Sequence, residues 1–197
     1  MSNLEFVMPT TSAASVGPRY DRTAAAILDA AAGALTEHGS AASMADVAAA
    51  AGVSRATLYR YFPDREALLR ALASHALTAV AARLADAGLA SAPVGEAIER
   101  IVRALTAVGD RYGVVVREQV QSDPGEIERL VRAPMRAVFD RGIDDGVLRQ
   151  DLPPEVLLDL FGGTLMAALN LTQRGELGLE EASAAAASVF LNGARAR

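Results

Sequence analysis

The chain has 197 residues, of which 51% are hydrophobic, 5% aromatic and 22% charged, and its formal net charge is −5 at pH 7. This length and apolar content suit one or two packed domains. The absence of cysteine excludes disulfides and thiolate chemistry, and the presence of just two histidines argues against a metal site.

The first 18 residues are rich in Ser, Thr, Ala, Pro and Gly, and no basic residue precedes Arg19. We interpret residues 1–18 as a flexible N-terminal arm. They lack the basic start and the continuous apolar centre of a signal peptide. No run of about 18 uncharged apolar residues occurs, so the sequence predicts no membrane span and a cytoplasmic protein.

Residues 19–38 are predicted to form the first helix. His38 falls in its last turn and Gly39 follows, which is a common helix end. A histidine there favours an interaction with the helix dipole over a role as a ligand or base. One apolar stripe at helical spacing gives this helix a buried face: Ile27, Leu28, Ala31 and Leu35.

Residues 43–65 carry the pattern of two short helices joined by a tight turn. Ser43 and Ser54 suit helix caps, because a serine hydroxyl accepts a bond from an unpaired N–H of the first turn. Gly52 supplies the left-handed backbone that a sharp turn needs, and Pro63 ends the second helix. This combination predicts a helix-turn-helix.

The second of these helices, residues 54–61, has a surface suited to DNA. Leu58 is expected to face inward with Phe62. Arg55 can pair with a guanine edge, and Thr57 can bond a base or touch a thymine methyl. A plain helical hairpin with solvated arginines would show the same spacing, but the added tyrosines and arginines argue against it.

The stretch Gly-Val-Ser-Arg-Ala-Thr-Leu-Tyr-Arg-Tyr-Phe, with Leu-Leu soon after it, resembles the DNA-binding signature of the TetR family. The resemblance covers residues 43–72, in the N-terminal third of the chain. It implies an all-helical homodimer that represses transcription and releases DNA when a small molecule binds.

We therefore expect the helix-turn-helix to bind a palindromic double-stranded DNA operator. Arg55 and Thr57 are expected to read bases, while the other side chains and the N–H groups at the start of the first short helix hold phosphates. The predicted DNA-binding residues are Ser43, Met44, Ala45, Ser54, Arg55, Ala56, Thr57, Tyr59, Arg60, Tyr61 and Arg65.

The net acidity of the chain does not contradict this prediction, because the charges are distributed unevenly. Residues 19–70 carry six arginines against six acidic residues, whereas residues 71–197 carry thirteen arginines against seventeen. The acidic excess therefore lies outside the predicted DNA-binding part. We expect a limited number of phosphate contacts and salt-sensitive binding.

Residues 64–87 predict a long helix with two apolar stripes. Such a helix is expected to pack against the DNA-binding part at its start and against the rest of the chain at its end. It would then act as a mechanical link, and His75 within it is expected to be a packed polar residue. The stripes are Leu68, Leu72, His75 and Ala79, and Leu69, Ala73, Leu77, Val80 and Leu84.

Residues 88–95 form a predicted loop typical of a domain boundary, and an amphipathic helix follows through residues 97–108. Residues 110–122 are expected to form a short helix, although their valines alone favour a strand. Residues 124–142 predict a helix that Pro134 should bend or break. Its inward residues are expected to be Ile127, Leu130, Val131, Met135, Val138 and Phe139.

Residues 140–153 contain four aspartates, whose spacing does not match the alternating ligands of an EF-hand. We expect a solvated turn there and no metal site. The stretch Asp-Asp-Gly-Val-Leu-Arg-Gln-Asp-Leu-Pro-Pro also resembles the connector before the last two helices of TetR-like regulators.

Two apolar helices are predicted to close the chain. Residues 154–173 are apolar on nearly every side, and residues 179–194 are rich in alanine. This apolar surface, with the family resemblance, predicts that two copies of the chain pair these helices into a four-helix dimer interface. The alternative is that both helices belong to the core of a single chain.

The region between the DNA-binding part and these last helices is predicted to bind a small-molecule effector in a mainly apolar pocket. The aliphatic composition favours an apolar or amphipathic ligand. The candidate lining residues are Tyr112, Arg117, Gln121, Met135, Phe139, Phe161, Met166 and Asn170.

No catalytic residue or cofactor is predicted, since the chain lacks a Gly-x-Ser-x-Gly elbow, a phosphate-binding Gly-Lys-Ser/Thr and a His-Glu-x-x-His motif. The alternative function is a helical module that binds a small molecule or a partner but no operator. Arg55, Thr57 and Tyr59 at the reading positions argue against it.

The predicted fold is all-α, with an arm at 1–18 and a helix-turn-helix DNA-binding domain at 19–66. A helical ligand-binding and dimerisation domain follows at 67–197. Helix 64–87 links the two domains.

Overall fold

The computed structural model describes residues 18–38, 41–113, 115, 120 and 122–196, with side chains from Arg22 onward. Helices form nearly all the regular structure in these ranges, and the strand-like pairing found there is a single bridge between Leu148 and Arg195. The all-α prediction is therefore confirmed. Of the predicted arm, only Pro18 belongs to the described residues.

Three helices form the part of the molecule that we call the head: α1 (Pro18–His38), α2 (Met44–Ala50) and α3 (Arg55–Tyr61). Helix α1 packs on α2, and α2 packs on α3. Five apolar residues at the centre of the head are between 0 and 6% exposed and form its core: Ile27, Leu35, Val47, Leu58 and Phe62.

Helix α4 (Arg65–Asp86) begins after Asp64, whose carboxylate accepts the N–H of Ala67 at 2.7 Å. Leucines of both predicted stripes are buried, with Leu68 at 0% and Leu84 at 3% exposure. The helix packs against α1 on one side and against α5 on another. The prediction of a helix buried on two sides is therefore confirmed.

The remaining helices form the body: α5 (Val94–Arg111), α6 (Pro124–Ile127), α7 (Ala133–Asp144), α8 (Pro154–Gln173) and α9 (Leu179–Ala194). Helix α9 packs on α5 and α8. One hydrophobic cluster extends without a break from the head through α4 into the body.

The interruption expected near Pro134 is a π-helical segment, Glu128–Arg132, between α6 and α7. Proline lacks an N–H, so it leaves a carbonyl of the preceding turn without its usual partner, and a wider turn accommodates this. Met135, Val138 and Phe139 are buried as predicted. The other three predicted inward residues are only half-buried: Ile127, Leu130 and Val131.

Helices α4 and α8 are long and apolar enough to cross a membrane by length and composition, although the sequence was expected to contain no such segment. Each helix buries one side in this fold, where Leu72 of α4 is 0% exposed and Phe161 of α8 is 1% exposed, although only 33% and 28% of their apolar windows are buried. A buried helix of a soluble protein can have the same length and composition. The two helices are therefore weak evidence for a membrane span.

Candidate nucleic-acid interface

The start of α2 is fixed by a reciprocal capping box between Ser43 and Asp46. The Ser43 hydroxyl accepts the Asp46 N–H at 3.3 Å, and the Ser43 N–H donates to the Asp46 carboxylate at 2.8 Å. The hydroxyl and N–H of Ser43 hold the pKa of that carboxyl below its usual range. Met44 and Ala45, which follow the cap, are half-buried in the first turn.

A tight turn at Gly52 sets the direction from α2 to α3. Gly52 has φ of +64°, a left-handed conformation that favours glycine. The N–H of Gly52 donates to Ala49 at 3.1 Å, and the N–H of Val53 donates to Ala48 at 3.0 Å. These bonds close the turn and fix the angle at which α3 leaves it.

Helix α3 is held at both ends. At its start, the Ser54 hydroxyl accepts the N–H of Thr57 at 3.1 Å and lies 2.9 Å from the Thr57 hydroxyl. Leu58, in the middle of the helix, is 0% exposed, and Phe62 follows at 6%. The opposite face of the helix therefore points to solvent.

That outward face has the chemistry predicted for a recognition helix. Arg55, Ala56 and Arg60 are exposed, and Tyr59 is 41% exposed. Two exposed arginines on a short helix give a local positive surface on a head whose net charge is balanced. Such a face can pair with base edges and attract phosphates.

Two predicted contact residues also have internal partners. The Arg65 guanidinium donates to the carbonyl of Ala42 at 2.6 Å, next to the cap of α2. The Tyr61 ring is half-buried against the core, 6.3 Å from the ring of Phe62, and the Arg60 guanidinium lies 5.6 Å from the Tyr61 ring centre. Both residues therefore help to position the start of α2 and the end of α3.

The six candidate effector residues that the structure describes are not gathered around one cavity. Phe139 and Phe161 stack with Phe190 at centre distances between 5.1 and 5.6 Å in a closed aromatic core. Met135 is buried at 6% exposure, and Met166 and Asn170 lie on an exposed side of α8. Tyr112 is bonded to Asp29 of α1, while Arg117 and Gln121 lie outside the described residues.

The body instead has a groove of about 560 Å³ between the end of α4 and the π-helical segment with α7. Arg129 and Arg141 contribute to its lining, and Arg141 is fixed by hydrogen bonds to three carbonyls of the loop between α4 and α5. The apolar lining includes Ala81, Leu84, Leu89, Leu130, Pro134 and Val138. The sequence analysis expected Leu84, Leu130 and Val138 to be packed inward and did not predict this groove.

A family model matches residues 27–72, and its description is bacterial regulatory proteins, tetR family. The HTH-type transcriptional repressor LfrR of Mycolicibacterium smegmatis is 44% identical over 165 residues, covering 79% of this chain and 82% of LfrR. The HTH-type transcriptional regulator NfxB of Pseudomonas aeruginosa is 27% identical over 158 residues, covering 78% of this chain and 84% of NfxB.

A solved structure also shows the similarity to TetR-like regulators. The crystal structure of the TetR-like regulator LfrR from Mycobacterium smegmatis in complex with proflavine superposes with a TM-score of 0.72 and 30% identity. It covers 87% of this chain and 96% of that one. The identity in this superposition is lower than the 44% found by sequence comparison. The superposition also covers more of the chain, 87% against 79%.

Proposed function

Because this chain belongs to the TetR family of bacterial regulatory proteins and is a ligand-responsive DNA-binding transcriptional regulator, we propose that it is a repressor that binds a palindromic operator as a homodimer. An apolar or amphipathic small molecule then releases it from DNA. The observation that carries the proposal is the exposed surface of α3, where Arg55, Ala56, Tyr59 and Arg60 are accessible to solvent while Leu58 is buried.

Within this proposal, the residues of the head have distinct roles. Arg55 and Thr57 read bases in the major groove, since both lie in the first turn of α3. Ser54 and Ala56 allow close approach of the helix start. The residues that hold the DNA backbone are Ser43, Met44, Ala45, Tyr59, Arg60, Tyr61 and Arg65.

Exposed apolar side chains on α8 and α9 support the homodimer. Four of the six exposed large hydrophobic residues in the described ranges lie on these two helices, among them Leu160 at 54% and Val189 at 67% exposure. The other two on these helices are Val156 and Met166. A second copy of the same two helices would cover this face in a four-helix interface.

The groove beside α4 supports the effector part of the proposal. Its volume of about 560 Å³ falls within the usual range for small-molecule sites. Its apolar lining suits an apolar or amphipathic ligand, and it touches the helix that joins body to head. A ligand there would shift α4 and change the position of the two α3 helices.

The alternative of a module that binds no operator is not favoured, because the relatives are named as a transcriptional repressor and a transcriptional regulator. A cytoplasmic location and the absence of a catalytic role follow from the same proposal. Both agree with a protein whose partners are operator DNA and a small molecule.

An electrophoretic mobility-shift titration with DNA from upstream of the protein's own gene tests this function. We expect a complex that prefers this DNA over a shuffled sequence and weakens steeply with salt. Adding proflavine, the molecule in the LfrR complex, probes release. If no sequence-preferring, salt-dependent complex forms, the regulator is not acting through operator binding.

A further inference from the structure

One carboxylate joins the head to the body. Asp29 lies in the middle of α1, and its Oδ1 atom accepts the hydroxyl of Tyr112 at 2.9 Å. The same oxygen lies 2.9 Å from Nη2 of Arg111 and 3.3 Å from Nε2 of His75. Three partners from α4 and from the end of α5 thus converge on one atom of the head.

Tyr112 is the most buried member of this group, which we call the Asp29 cluster: Asp29, His75, Arg111 and Tyr112. It is 5% exposed, its ring meets the His75 ring edge-on at 5.8 Å, and the Arg111 guanidinium lies 5.6 Å from its centre. Burial, and then the bond to Asp29, raises the pKa of the Tyr112 phenol. The phenol therefore remains a donor at neutral pH.

The cluster constrains the orientation of the head relative to the body and adds little to the free energy of unfolding. The side chains of Asp29 and Arg111 are 42% and 55% exposed, and ion pairs with such exposure are each worth about 0–1 kcal/mol. Apolar packing of α1 on α4 holds the two parts together. Hydrogen bonds of fixed geometry add an angular constraint that leucine and alanine contacts do not provide.

We propose that Asp29 is a positioning residue for operator binding, which fixes the angle between head and body and so sets the separation of the two α3 helices in the dimer. This inference rests on the proposed dimeric operator binding. Half-sites one helical turn apart place two recognition helices roughly 34–36 Å from each other. A spacer change of one base pair moves a half-site by about 3.4 Å, so a fixed head angle must appear as selectivity for spacer length.

The test compares the affinity for a selected palindromic operator with the affinity for versions carrying one base pair more or one fewer between the half-sites. Wild-type protein is expected to lose about tenfold or more on either change. Asp29→Ala should keep the sequence preference at each half-site. Its loss of affinity when the spacer changes by one base pair should fall below about threefold. Tyr112→Phe, which removes one donor from the body side, should give an intermediate loss.

Glu37→Ala is the matched control, because Glu37 is an exposed acid on the same helix and its replacement removes the same charge. We expect Glu37→Ala to keep the spacer selectivity of the wild type. If Asp29→Ala and Tyr112→Phe also keep it, the positioning role is wrong. If the wild type binds no operator, the proposed function itself fails, which is a different result from unchanged selectivity.

Discussion

At the scale of single residues, Arg55 and Arg65 show that the same type of side chain occupies two different environments among the proposed DNA-binding residues. Arg55 is exposed at the start of α3, whereas Arg65 is partly buried and bonded to the carbonyl of Ala42. Their positions in the sequence, both near a serine or aspartate cap, do not reveal this difference. The distinction arises from the path of the loop before α2, which brings Ala42 within reach of α4.

Replacing Arg55 by Ala is expected to relax base preference at one operator position, at a cost of about 1–3 kcal/mol.

Replacing Arg65 by Ala should weaken binding to all sequences alike and also lower the melting temperature, because the hydrogen bond to the carbonyl of Ala42 is lost. Binding to an operator library measures base preference and overall affinity, and thermal melts measure stability, so together they distinguish the Arg55 variant from the Arg65 variant. Arg70→Ala, which removes an exposed arginine paired with Glu66 on the same helix, should change neither property appreciably.

At the scale of elements, the capping box of α2 makes the head sensitive to acid. Ser43→Ala is expected to destabilise the protein by about 1 kcal/mol near neutral pH, as is usual for the loss of a serine cap. The pKa of Asp46 is lowered in the folded protein, so its contribution is present above its unfolded-state value and is lost as pH falls through the folded-state value.

The free energy of unfolding of wild type and Ser43→Ala, measured from neutral pH down into the titration range of aspartate and below it, checks this. The difference between them should shrink as the pH falls through that range. A difference that stays constant would contradict the role given to the Asp46 carboxylate. Ser74→Ala is the comparison, because Ser74 is an exposed serine in the middle of α4 where no helix cap is lost. It should leave stability nearly unchanged at every pH.

Most elements were predictable because their signals are local. Serine caps, a glycine at position 52 and the helical spacing of apolar residues located α1 to α4 within a residue or two. The π-helical segment was predicted only as a disturbance at Pro134, because a proline within a helix can cause a bend, a break or a wider turn and the sequence does not distinguish these.

The effector side was predictable only in part. Periodicity marks Phe139 and Phe161 as inward-facing, but it cannot distinguish a closed aromatic core from the wall of a cavity. Tyr112 was expected to line a pocket, yet its partner Asp29 is 83 positions away in the sequence. Contacts over such separations depend on the assembled fold, and residue spacing carries no signal for them.

At the scale of the whole molecule, the exposed apolar face on α8 and α9 is the feature that a single chain leaves uncovered. Val189→Glu is expected to prevent self-association, because it places a charge where the proposed interface excludes water. Affinity for a full palindrome should then fall to that for one half-site. Light scattering coupled to size-exclusion chromatography, together with mobility shifts, measures both effects.

Val147→Glu is the control for this prediction, because Val147 is also exposed, at 42%, but lies in the turn after α7. It should leave the assembly state unchanged. A Val189→Glu protein that remains dimeric would place the interface elsewhere. The same result would leave the reading of DNA by α3 unaffected, since the head does not contain these helices.

The central claim is that two heads of one dimer read a palindromic operator through α3. Selection of bound DNA from a random library by the wild-type protein tests it most directly. The account predicts an enriched sequence with two-fold symmetry and half-sites about 10 base pairs apart from centre to centre. Enrichment of an unsymmetrical sequence, or no enrichment at all, would contradict it.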